Sequence, residues 1–214
     1  MTVPFPTLRR RLVAILRGVK PDEALAIGAA VFEAGIEAIE VPLNSPDPFR
    51  SIELLAKALP ASALVGAGTV LTAAQVDDLQ RAGGKLLVSP NIDRAVMERA
   101  AHHRMVTMPG VFTPTEAFLA LSLGASALKF FPASALGAKG VSAIKAVLPK
   151  ETVVGAVGGV SEKDFADYGK IGVSTFGLGS SLYTPGLGAE AVAGRAAAAV
   201  AEWDAVFATD RGNS

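Results

Sequence analysis

From Leu12 onward the chain repeats one unit: a short Val/Ile/Leu/Ala run, a turn with Gly, Pro, Ser or Asn, and a longer stretch with apolar residues at helical spacing. Short runs of this kind suit strands buried on both faces, and parallel strands need a crossover helix between them. Strands are expected to begin near Leu12, Glu37, Ala63, Lys85, Met105, Ser126, Thr152 and Val173, roughly 20 to 26 residues apart. Helix starts are marked at Pro21-Asp22-Glu23, Ser45-Pro46-Asp47, Thr72, Asp93, Thr113-Pro114-Thr115-Glu116 and Ser161-Glu162, and helix ends at Gly35, Gly83 and Gly124. Eight such units in 214 residues fit a (β/α)8 TIM barrel. The rival is a doubly wound open sheet, but Leu16-Arg17-Gly18-Val19-Lys20-Pro21 is not the Gly-rich fingerprint usual after its first strand.

No linker or low-complexity tract interrupts the pattern, so residues 1–214 are expected to form one domain with its core at about 12–203. Trp203 and Phe207 can anchor a last, alanine-rich helix, and Ala208 to Ser214 read as a frayed end. Half the chain is hydrophobic and 19% is charged, with 20 basic residues balancing 20 acidic ones. Nothing in that balance points to nucleic acid or to an anionic membrane. The absence of cysteine excludes disulfides, a thiolate nucleophile and the common structural zinc sites, and a cytoplasmic location is expected. No uninterrupted apolar segment reaches the roughly 18 residues of a membrane span.

Within this scaffold one lysine is out of place. In Ser126-Ala-Leu-Lys-Phe-Phe-Pro-Ala-Ser134, Ala127, Lys129 and Phe131 share one strand face, and Leu128 and Phe130 share the other. Desolvation favours the neutral amine, the form that attacks a ketone to make a Schiff base. Lys129 is thus a candidate nucleophile; the alternatives are a lysine snorkelling from a strand end or paired with a buried carboxylate. Glu40 supplies such a carboxylate, sharing its face with Ala38 and Pro42 while Ile39, Val41 and Leu43 face the helices. The pair is either a proton-shuttling couple or a structural ion pair.

Other polar residues gather at the carboxyl ends of the strands, where a barrel carries its chemistry. Arg17 ends the first strand and suits a carboxylate or phosphate; Gly66-Ala67-Gly68-Thr69 ends the third, and Ser89-Pro90-Asn91 the fourth. Val157-Gly158-Gly159-Val160-Ser161 and Gly177-Leu178-Gly179-Ser180-Ser181 follow the seventh and eighth strands, where this architecture commonly holds phosphate, although ordinary tight turns also use glycine. His102 and His103 end a helix on the wrong side for the site. No His/Asp/Glu group has metal-ligand spacing, and an enamine mechanism requires neither metal nor cofactor.

Taken in order, seven motifs resemble the KDPG/KHG aldolase family, Schiff-base enzymes that split 2-keto-3-deoxy-6-phosphosugar acids. They are Leu12-Val-Ala-Ile-Leu-Arg17, Glu40-Val-Pro-Leu-Asn-Ser45, Gly66-Ala-Gly-Thr-Val-Leu71, Ser89-Pro-Asn-Ile92, Leu128-Lys-Phe-Phe-Pro-Ala133, Val157-Gly-Gly-Val160 and Gly177-Leu-Gly-Ser180. The resemblance implies Lys129 as imine-forming residue, Glu40 as general acid/base, and Arg17 and Thr69 at the keto-acid end. It also implies Gly158, Gly159, Gly179 and Ser180 at the phosphate, with Pro90 in the substrate-binding set. It implies a phosphosugar acid and pyruvate as ligands, no cofactor, and a homotrimer. Pro42 and Asn44 stand where the gluconate-type enzyme usually carries Thr and Arg, and Pro-Leu-Asn-Ser resembles the galactonate branch. The alternatives are the gluconate epimer as main substrate, and a phosphosugar-binding barrel without lyase chemistry.

Overall fold

A computed structural model describes residues 2–207; Ala208 to Ser214, read above as frayed, lie outside the described residues. Each expected strand is present. They are β1 Leu12–Ile15, β2 Ala38–Pro42, β3 Leu64–Gly68, β4 Leu86–Val88, β5 Val106–Met108, β6 Gly110–Val111, β7 Leu128–Phe130, β8 Val154–Val157 and β9 Thr175–Leu178. The helices are α1 Pro21–Glu33, α2 Pro48–Ala58, α3 Ala73–Arg81, α4 Arg94–His102, α5 Pro114–Ser122, α6 Ala133–Lys145, α7 Phe165–Gly169 and α8 Ala189–Phe207.

The described strands number nine rather than the expected eight because Pro109 divides the fifth, having no N–H to give to a ladder. All pairings are parallel, in the order β5-β4-β3-β2-β1-β9-β8-β7-β6. The divided strand closes the ring. Its first half pairs with β4 and its second with β7, and the Thr107, Pro109 and Val111 carbonyls accept from the amides of Ala127, Lys129 and Phe131 at 3.0–3.1 Å. The result is an α/β barrel of the TIM type.

Strand parity sorts the apolar residues into two cores. Leu12, Ala14, Leu16, Ile39, Val41, Leu128, Phe130, Ala156 and Phe176 face outward against the helices. Val13, Ile15, Ala38, Leu86, Val88, Met108, Ala127 and Val157 fill the interior, and Val3, Phe5 and Leu8 pack against them from the amino-terminal segment. That segment is held by Arg9, whose amide donates to Glu37 at 2.6 Å, and by Arg10 paired with Asp204 in α8.

Helix boundaries follow the expected chemistry with two exceptions, one of them at Ser161-Glu162, which opens a 3-10 turn over Glu162–Asp164 so that α7 begins only at Phe165. The Thr72, Asp93 and Thr113 side chains accept N-terminal amides of α3, α4 and α5, and Gly35, Gly83 and Gly124 follow α1, α3 and α5 with φ of 107°, 83° and 80°. α2 starts later than Ser45-Pro46 suggests: Asp47 is its N-cap and Pro48 its first residue. Ser45 has other work, described below.

Phe176 packs between Phe165 and Phe207, with centroids at 4.2 and 6.1 Å, and is completely buried. Phe176→Ala is therefore expected to lower stability by about 3–5 kcal/mol, read as a fall in the urea midpoint at unchanged slope.

Candidate active site

Inward parity places Lys129 of β7 and Glu40 of β2 in the barrel interior, and β2 and β7 are four places apart in the ring, so they stand on opposite walls. Lys129 is 5% exposed and Glu40 1%. They do not form an ion pair: none of the ion pairs among the described residues involves either group, and Glu40 Oε2 is buried without a hydrogen-bond partner. The gap leaves desolvation dominant. Burial pushes the Glu40 carboxyl up to about 7, against the opposing pull of the Lys129 and Arg17 charges. Burial likewise lowers the Lys129 ammonium, which the Glu40 charge partly restores and the Arg17 charge lowers further. Lys129 Nζ also sits 4.6 Å from the centroid of the Phe131 ring, two residues along the same strand face.

Glu40 owes its position to a missing side chain. A Cβ on Gly68 of β3 would overlap both carboxylate oxygens. The next residue, Thr69, has φ of +58°, a left-handed conformation that is costly for a β-branched residue.

Above this pair a cavity of about 470 Å3 opens at the carboxyl ends of the strands. Of the residues expected at the site, Arg17, Lys129, Gly158, Gly159, Gly179 and Ser180 line it. Gly158 and Gly159 have φ of +90° and +70°, which only glycine adopts freely, and a Cβ on Gly158 would press on Phe131. Ser181 Oγ donates to the Val160 carbonyl at 3.2 Å, tying the loop after β9 to the loop after β8. Thr69 and Pro90 end β3 and the β4 unit at the same end of the barrel, but they do not line this cavity. Glu40 lies buried among the strands rather than in the wall.

The pattern of polar residues gave no sign of the apolar wall, to which Ile15, Phe131, Val157 and Tyr183 contribute. Phe131 shares the parity of Lys129, a signal that could have added it. His103 lies away from the cavity, with Nε2 2.7 Å from Asp77. Arg99 and His103 together hold the Asp77 carboxyl down at about 2.

With this geometry in hand, the comparisons are specific. The family model for KDPG and KHG aldolase matches residues 7–193. The chain belongs to the KDPG and KHG aldolase family. A probable 2-dehydro-3-deoxy-6-phosphogalactonate aldolase from Rhizobium meliloti (strain 1021) is 60% identical over 205 residues, covering 96% of this chain and 97% of that protein. The 2-dehydro-3-deoxy-6-phosphogalactonate aldolase of Escherichia coli (strain K12) is 50% identical over 189 residues, covering 88% and 92%. The solved structure described as native KDPGal superposes with a TM-score of 0.93 at 47% identity, covering 96% of this chain and 99% of that one. KDPG-type aldolases are class I enzymes that work through a Schiff base, and members of this family are carbon–carbon lyases. Among the described residues no helix is long and apolar enough to cross a membrane, and among them no group of three or more His, Cys, Asp or Glu is placed to hold a metal.

For this KDPG/KHG-family barrel, burying two ionisable groups apart has a cost with opposite pH dependence for each. The folded Glu40 carboxyl has the higher pKa, so its cost is absent below about pH 4 and complete above about 7. The folded Lys129 has the lower pKa, so its cost is complete at low pH and vanishes above that of a free lysine. Glu40→Gln is expected to raise the melting temperature by ~3 °C or more above pH 7, with no gain at pH 4. Lys129→Met should stabilise the protein most at acid and neutral pH, a trend that thermal melts across pH would check.

Proposed function

We propose that the chain is a class I aldolase that cleaves 2-dehydro-3-deoxy-6-phosphogalactonate to pyruvate and D-glyceraldehyde 3-phosphate. The observation that carries this reading is the buried Lys129 amine, its pKa lowered, facing the buried and unpaired Glu40 carboxyl beneath a cavity whose far wall is glycine loops. Two relatives at 60% and 50% identity carry the galactonate name and support the choice of epimer.

Neutral Lys129 Nζ adds to the C2 ketone, and the carbinolamine loses water to give an iminium. Glu40, through a water molecule in the gap between the two groups, takes the proton of the C4 hydroxyl. The C3–C4 bond breaks, its electron pair moving into the iminium to leave an enamine, and glyceraldehyde 3-phosphate departs. Glu40 returns the proton to C3, and water hydrolyses the new iminium to pyruvate and free Lys129. A carboxyl titrating near neutrality can perform both transfers.

Arg17 and Thr69 hold the substrate carboxylate, and Pro90 borders that end. Gly158, Gly159, Gly179 and Ser180 hold the phosphate, whose binding positions the reacting carbon. The Phe131 ring face, 4.6 Å from Nζ, favours the cationic iminium over bulk solvent. The reading uses no metal or cofactor. It takes the chain as one domain acting as a homotrimer in the cytoplasm, so light scattering should return three times the 21.8 kDa chain mass.

Incubation with pyruvate and borohydride is expected to add one reduced pyruvate to the protein and to add none to Lys129→Ala; an adduct in that variant, or none in the unaltered chain, overturns the mechanism. Assaying both epimeric phosphosugar acids side by side decides the substrate, and faster cleavage of the gluconate epimer would reverse the assignment. Ser180→Ala should raise KM for the phosphorylated substrate about tenfold and leave pyruvate trapping unchanged. An equal effect on an unphosphorylated analogue would remove the phosphate assignment.

A further inference from the structure

Arg17 is an exposed side chain at the end of β1, yet the turn that carries it is fixed from both flanks. On one flank Arg17 Nη1 donates to Asn44 Oδ1 at 2.5 Å, and the Gly18 amide donates to the buried Ser45 Oγ at 2.9 Å. On the other, Gly18 has φ of +85° and its Cα lies against the Pro185 ring of the loop after β9, so that an added Cβ would come within 2.7 Å of Pro185 Cγ. Asn44 and Ser45 follow β2, the strand that pairs with β1, and the Leu16 amide extends that pairing to the Glu40 carbonyl at 3.0 Å. The same short stretch therefore contains Glu40 and both contacts to the Arg17 turn.

We infer that Asn44 and Ser45 are positioning residues that aim the Arg17 guanidinium at the substrate carboxylate. An arginine only donates, so the Asn44 amide must present its oxygen. One of five N–H donors is used in this contact, and the remaining face of the fork is free for a carboxylate in the cavity that Arg17 lines. Without the tie, a long exposed side chain samples many rotamers and must lose that freedom each time a substrate binds. Asn44 is neutral, so it orients the guanidinium without offsetting its charge. An aspartate at this position would hold the fork equally well and offset that charge.

The inference rests on Lys129 forming the imine, and the test separates the two. Borohydride trapping is titrated with pyruvate and with methyl pyruvate, which keeps the ketone and lacks the charged carboxylate. For Asn44→Ala the pyruvate concentration at half-maximal trapping is expected to rise about tenfold, the loss of one charge-assisted hydrogen bond, with the extent at saturation unchanged. Asn44→Asp should raise it further, Ser45→Ala less, and none of the three should move the methyl pyruvate titration by more than about twofold. Equal weakening toward both ketones would mark a merely structural role and overturn the inference, as would unaltered pyruvate titrations in all three variants. No adduct in the unaltered chain would overturn the Schiff-base reading and this inference with it. An adduct there, with variants that titrate identically, would overturn the positioning role alone.

Discussion

A carboxyl and an amine are buried in the same hydrocarbon interior without touching, and the rest of the structure is arranged to keep them so. Direct contact would let their mutual attraction restore both charges, giving an acid that does not hold a proton at neutral pH and an amine that does not release one. Separation lets desolvation act on each, raising Glu40 to about 7 and lowering Lys129. The barrel makes the arrangement possible because β2 and β7 face each other across the ring, so inward side chains approach the axis from opposite walls. Gly68 then clears the volume into which the Glu40 carboxylate extends.

The two sides of the cavity are built on different principles. The β8 and β9 loops present backbone, with glycines at φ of +90° and +70° and nothing within 4 Å of a Cβ on Gly179, which suits a phosphate ringed by amides. The β1 and β2 loops present side chains held by other side chains, Arg17 by Asn44 and the Gly18 turn by Ser45. A backbone cradle suits a group that is bound at a remote end and takes no part in bond breaking. An oriented guanidinium suits a carboxylate that must stay fixed beside the reacting ketone.

What the sequence reveals and conceals follows from range. Strand parity is local, so Lys129 and Glu40 stand out as polar residues on faces shared with Ala127 and Ala38, and the outward set Ile39, Val41, Leu128 and Phe130 packs as expected. Glycine loops after the last two strands are local as well. The division of the fifth strand at Pro109 depends on which neighbour each half meets, which no single stretch encodes. Ser45-Pro46-Asp47 contains three residue types that all begin helices, and only the Gly18 amide donating to Ser45 Oγ shows that Ser45 is engaged elsewhere, with Asp47 left at the N-cap position of α2. Nothing in the sequence marks Ile15 and Tyr183 as cavity wall, because an apolar residue facing a cavity has the same pattern as one facing another side chain.

Arg17 acts on both members of the buried pair. Its charge lowers both the Glu40 carboxyl and the Lys129 amine, the second effect favouring the neutral nucleophile. On the proposed reading, a substrate carboxylate docked on the guanidinium offsets that charge in place. The field at Glu40 then weakens, and the carboxyl holds a proton more firmly than in the empty site. Before a substrate docks, Arg17 thus favours the neutral amine that the substrate meets on arrival. The occupied site is biased toward a protonated Glu40, as return of the proton to the enamine requires. On that reading, one cation held in place by Asn44 changes its electrostatic effect between the two states because the substrate carboxylate offsets its charge.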